Sequence, residues 1–365
     1  MEAVAAKSRS KNSMIELWRV VFSLLIVACH TTALPKDKTE DFLFLSASIG
    51  VEFFFVLSGF LMAQSAEDTP PREGRGGKAS LRFVISKIRP ILPTYLFALC
   101  TELFVASFVG VPQKRSLSEL VYYVWDILFL RTAGLQGDSM DVAVGASWYL
   151  SAMILAMWML YPLLCKFRET FLYVLAPLLS IFMLGWFSNV YGKINFSLAF
   201  CNGICLGLLR AVAEICVGCC SYVVCTHLRE LAPKGQLIRA AATIGELGSF
   251  GAVLWAARYC YRSQTDFICI LLVAVGIALS FSGLSFTSLL NGKINVRWAG
   301  KFSLALYLNH VVWVRMLSRW KLPISFRKQT LIVFVLSIAT AIVCNWVIGY
   351  LSRQFNNFKK HIRSI

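Results

Sequence analysis

"LWRVVFSLLIVACHTT", residues 17–32, reads as a membrane span, yet it carries an arginine at 19 and a histidine at 30. An ionisable side chain in hydrocarbon costs about 2.5–3.5 kcal/mol on insertion scales, so each of the two needs an offset. On a helix an 11-residue spacing brings Arg19 and His30 to within about 20° of one face and separates them by about 16 Å along the axis. The span therefore presents a stripe. One end has a cation fit for phosphate or carboxylate, and the other has a neutral base. A blander reading stands beside it, in which Arg19 snorkels to the headgroups and His30 makes an interior hydrogen bond.

The rest of the chain has the same character. Of 365 residues 58% are apolar and 15% charged, and the mean hydropathy is +0.66. That balance lies outside the soluble globular range. Runs of about 20 apolar residues, enough to cross a bilayer, fall near 15–34, 42–64, 88–110, 146–165, 171–188, 208–227, 240–258, 267–288, 300–318 and 329–350. Segments 119–130 and 194–207 are apolar but short and read as interfacial or re-entrant. The expected fold is an all-α polytopic membrane protein of about ten transmembrane helices. A single membrane domain, 15–350, lies between a basic N-terminal segment, 1–14, and a basic tail, 351–365.

With the N-terminus inside, most Lys- and Arg-rich connections fall on the cytoplasmic side, and an even number of spans returns the C-terminus there. The net charge of +17 thus serves orientation against anionic headgroups rather than nucleic-acid binding. The basic start runs into a segment too long and polar for a cleaved signal peptide. The loop "EDTPPREGRGGKAS" (67–80) reads as flexible. Most of the 12 cysteines lie in apolar runs, where a free thiol acts as a small hydrophobe. "CVGCC" (216–220) has one C-x2-C and no completing pair, so no metal site is expected.

The second run, "SIGVEFFFVLSGFLMAQ" (48–64), holds Glu52. A carboxylate there should face a cavity and find a partner. It is expected either to orient His30 as part of a general base or to make an interhelical hydrogen bond. Ser58 and Gly59 allow a helix or ligand to approach closely.

Five pieces in order, "RVVFSLLIVACH" (19–30), "GVEFFFVLSGFLM" (50–62), "KIRPILPTY" (87–95), "SWYLSAMILAMWMLYPLL" (147–164) and "GKFSLALYLNHVV" (300–312), resemble the acyltransferase type 3 family of integral membrane O-acyltransferases. The resemblance implies a ten-span helical core in a bacterial inner membrane. It implies an acyl-CoA donor, acetyl-CoA expected, taken from the cytoplasm as a co-substrate rather than held as a cofactor. The acceptor would be a hydroxyl of a cell-surface or exopolysaccharide carbohydrate or its lipid-linked precursor. By motif, His30 is the expected catalytic residue with Glu52 beside it. Arg19 and the group Arg82, Lys87 and Arg89 would hold the coenzyme phosphates. The family's R-x-x-R is altered here, with Lys87 at the first arginine and Pro90 at the second.

Ser58, Trp148, Tyr149, Asn309 and His310 are expected substrate or cavity residues. Trp148 and Tyr149 fit an aromatic belt equally well, and Asn309 and His310 fit structural hydrogen bonds. Arg210 is expected to snorkel or to pair with Glu214 at i+4, and Asp138 and Asp141 to be solvated. Intramembrane Arg, His and Glu also mark transport paths, so a transporter or flippase is the competing class. No motif speaks to oligomeric state.

Overall fold

Away from water an apolar chain must satisfy its backbone locally, and helices are the open-chain way to do so. The computed structural model describes residues 12–34, 44, 46–67, 76–108, 123–135, 145–230 and 235–363. Ten long helices lie in that set. They are α1 (Ser13–His30), α2 (Gly50–Glu67), α3 (Gly76–Phe108), α4 (Ser147–Lys166), α5 (Arg168–Tyr191), α6 (Leu206–Glu230), α7 (Gln236–Tyr259), α8 (Thr265–Ser282), α9 (Arg297–Trp320) and α10 (Phe326–Arg363). Among the described residues nine of them, all but α9, are long and apolar enough to cross a membrane. α9 carries Lys301, Asn309, His310 and Arg315 through its length and is the helix that brings polar groups inward. The chain is an all-α polytopic membrane protein.

The helices follow the expected order, with three differences. α3 starts at Gly76 rather than near 88, because Lys78, Arg82, Lys87 and Arg89 hide its first turns from a reading by apolar runs; Pro90 and Pro93 lie inside it. α10 continues to Arg363, through the segment read as a tail. Residues 194–207 end in a two-stranded antiparallel hairpin, β1 (Phe200–Cys201) and β2 (Ile204–Cys205). Of 119–130 the described part is one short helix, 123–127, and a turn. Residues 1–11, most of the 67–80 loop, and Asp138 and Asp141 lie outside the described residues.

Two seams position the interior. Along the first, α2 and α6 touch backbone to backbone. A Cβ on Gly59 would overlap the Ile215 carbonyl oxygen, and one on Gly218 would overlap that of Val56. Only glycine permits this approach. Along the second, α1 and α9 run parallel. The Ser23 and Ser303 hydroxyls are 2.7 Å apart, and Ser303 Oγ also donates to the Arg19 carbonyl at 3.1 Å. α3 and α4 close the ring of α1, α2 and α9, while α5, α7 and α10 turn much of their apolar surface outward.

Candidate active site

The five ringed helices line a cavity of about 260 Å³. α1 contributes Arg19 and Ile26, and α2 contributes Val51, Phe54, Leu57, Ser58 and Leu61. α3 adds Lys87, Pro90 and Ile91; α4 adds Tyr149, Leu150, Met153 and Met157; α9 adds Gly300, Ser303, Leu304 and Tyr307. The lining is apolar apart from two cations at one end and hydroxyls above them. Arg19 Nη1 lies 3.7 Å from Glu16 Oε1, one turn before it. The Lys87 ammonium lies 4.8 Å from the Phe83 ring centroid, and no carboxylate pairs with it among the described residues. At the cavity floor the Glu16 carboxylate faces Arg19 across a long ion pair, and Lys87 adds a second cation.

Only one of the three basic residues expected to act with Arg19 lines the cavity. Arg82 and Arg89 are exposed, whereas Lys87 is half-buried. The helix explains the division, since residues two apart point about 200° from one another. Treating the three as one group overlooked that period.

At its other end the cavity is lined by Phe54, Tyr149 and Tyr307, with Tyr149 and Tyr307 ring centroids 5.6 Å apart and Phe54 6.2 Å from Tyr149. Tyr307 donates from its hydroxyl to the Ala146 carbonyl at 2.8 Å. His30 lies one turn beyond Ile26 on α1, and His310 one turn beyond Tyr307 on α9. His30 Nδ1 is 3.0 Å from the Ile26 carbonyl oxygen and 3.1 Å from His310 Nε2. His310 is fully buried, and its Nδ1 lies 2.7 Å from the Tyr307 carbonyl. The Arg19–His30 stripe exists as a face of α1, with Arg19 in the cavity and His30 just past its far end.

Glu52 is not beside His30. Its Oε1 lies 2.6 Å from Arg210 Nη2, and Arg210 Nε donates to Glu214 Oε1 at 2.9 Å. Arg210 does pair with Glu214 at i+4, but it is fully buried rather than at the surface. Two acids thus share one guanidinium across the α2–α6 seam, and Glu52 Oε2 and Glu214 Oε2 lack a hydrogen-bond partner among the described residues. α2 points Ser58 at the cavity and Glu52 at α6, because six residues on a helix turn a side chain by about 120° from where it began. The adjacency of the first two spans in sequence had favoured the wrong neighbour.

The remaining expected residues divide. Ser58 lines the cavity and donates to Met153 Sδ at 3.3 Å. Tyr149 lines it too, whereas Trp148 turns to Arg210, whose guanidinium carbon is 5.7 Å from the indole centroid. Asn309 is buried off the cavity and donates to the Ala305 carbonyl at 2.8 Å. Ser303 and Tyr307 had not been anticipated as lining residues. One signal was present. Ser23 and His30 are seven residues apart, as are Ser303 and His310, and two parallel helices with matched polar spacing can pair at both levels.

Fold and cavity together define an integral membrane protein with a cation-floored internal chamber leading towards paired imidazoles. The family model described as an acyltransferase domain matches residues 12–350. The chain belongs to this family, the acyltransferase type 3 family of membrane O-acyltransferases. No curated protein and no solved structure matches it.

Proposed function

We propose that the protein moves an acyl group, acetyl being the expected one, from cytoplasmic acyl-CoA to a hydroxyl of a cell-surface or exopolysaccharide carbohydrate or its lipid-linked precursor, with His30 as general base. The observation that carries this reading is the cavity with Arg19 and Lys87 at one end and His30 one turn past the other. A coenzyme with a phosphate-rich head and a long slender arm matches it. Arg19 and Lys87 hold phosphate oxygens, the apolar lining takes the arm, and the arm is comparable in length to the spacing of about 16 Å between Arg19 and His30. The positive-inside pattern of the basic connections supports a cation end on the cytoplasmic side, together with both chain termini.

In this reading the thioester passes the Phe54, Tyr149 and Tyr307 rings to reach His30. His30 Nε2 takes the proton of the acceptor hydroxyl as the oxygen attacks the thioester carbonyl. The C–S bond breaks, and the departing thiolate receives that proton from the imidazolium. General-base action of this kind contributes about 10²–10⁴-fold, and holding donor and acceptor together supplies much of the rest. Glu52, bound to Arg210, takes no part in the step.

The test is surface-glycan composition in a deletion strain complemented with wild type or His30→Ala, alongside transfer of labelled acetyl from acetyl-CoA by the purified protein. Wild type should restore O-acylation and His30→Ala should not. Full restoration by His30→Ala would remove the base from the mechanism. Counterflow of an unacylated solute, indifferent to CoA esters, would make the protein a transporter.

A further inference from the structure

His310 makes two contacts that together determine where the protons sit. The Tyr307 carbonyl, 2.7 Å from His310 Nδ1, can only accept, so Nδ1 carries the hydrogen. The neutral ring then has a lone pair on Nε2. That atom lies 3.1 Å from His30 Nδ1. The Ile26 carbonyl, 3.0 Å from the same His30 Nδ1, is again an acceptor. His30 Nδ1 must therefore be the donor, shared between the carbonyl and the second imidazole. The lone pair of His30 is left on Nε2, the atom a general base needs.

We propose that His310 is a positioning residue that holds His30 in its Nδ1–H tautomer and, by accepting from Nδ1, stabilises the imidazolium that forms during transfer. This rests on the reading of His30 as the base. It gives a neutral imidazole the place that a carboxylate holds in a Ser-His-Asp triad, and it fills the role that Glu52 leaves vacant. Among the described residues no carboxylate is bonded to His30. The charged groups acting on it are Arg262, from the α7–α8 connection, and Arg315 of α9, and a guanidinium cannot accept a hydrogen bond. The parallel seam of α1 and α9 makes the pairing possible. Ser23–Ser303 sets the register two turns before the imidazoles meet.

The experiment uses the full chain in nanodiscs with ¹⁵N-histidine, His30 resonances being assigned by their loss in His30→Ala. Wild-type His30 should show Nδ1 protonated and Nε2 bare. His310→Leu, which leaves only the Ile26 carbonyl to accept from Nδ1, should show a smaller excess of the Nδ1–H tautomer, with kcat reduced about 10- to 100-fold, the range for losing a hydrogen bond to a charged group, and with acetyl-CoA affinity unchanged. His310→Gln, whose amide oxygen reaches the Nε2 position, should recover most of both. A pure Nδ1–H tautomer with full turnover in His310→Leu overturns the proposal, as does a Gln variant no better than Leu. If wild-type protein transfers no acetyl group, the functional reading fails, while the tautomer spectra still decide the positioning role.

Discussion

Arg19 and Lys87 reach one cavity from different helices; Arg19 keeps a long ion pair with Glu16, and Lys87 has no carboxylate partner among the described residues. Arg19 stands 3.7 Å from Glu16 and Lys87 sits over Phe83. A hydrogen bond to a charged group is worth about 1.5–3 kcal/mol. Arg19→Ala and Lys87→Ala should therefore each weaken acetyl-CoA binding about 10- to 100-fold. Arg82→Ala and Arg89→Ala, which alter exposed side chains, should stay within about twofold. Calorimetric titration of the four variants makes the comparison. Equal losses from Arg89→Ala and Arg19→Ala would move the phosphate site off the cavity floor. At this scale the sequence was informative about α1, because R-x10-H is a helical spacing that any straight helix keeps. It was less informative about α3, where three basic residues within eight positions look like one patch until the period separates them.

Among elements, the α2–α6 seam shows how a membrane helix divides its faces. Phe54, Ser58 and Leu61 of α2 look into the cavity, while Glu52 and Gly59 look at α6. The buried set of Glu52, Arg210 and Glu214 is a structural joint. Removing one partner of a buried ion pair leaves charge without compensation, which costs about 3–5 kcal/mol. Arg210→Leu strands two acids and should abolish a monodisperse folded species in detergent. Glu52→Gln keeps a hydrogen-bond acceptor for Arg210 and should fold, with acetyl transfer within about threefold of wild type. Size-exclusion profiles and transfer rates measure both. A Glu52→Gln protein that folds but loses 100-fold in rate would return Glu52 to the catalytic step. Sequence adjacency of spans one and two could not reveal this, since the partner of Glu52 lies 158 positions on, at 210. A lone acid in an apolar run announces that it has a partner without naming it.

For the molecule as a whole, the charge pattern has a consequence that packing does not. The proposed orientation, with Lys- and Arg-rich connections inside, predicts both ends of the chain in the cytoplasm. A fluorescent protein fused after Ile365 should glow, and alkaline phosphatase at the same point should be inactive. The opposite result inverts the cavity and puts its cations on the outer side, away from cytoplasmic acyl-CoA. Composition and apolar run length were enough to determine an all-α membrane protein and the order of its ten long helices, because burying backbone in hydrocarbon leaves few alternatives. Helical period was enough to place Arg19 and His30 on one face. Which face meets which neighbour was decided by tertiary structure alone. The pairing of Glu52 with Arg210 and of His30 with His310 follows from how helices far apart in the chain pack. Packing depends on shape complementarity along whole helices, such as the glycine contacts of α2 with α6 and the serine contact of α1 with α9, and a one-dimensional pattern does not carry it.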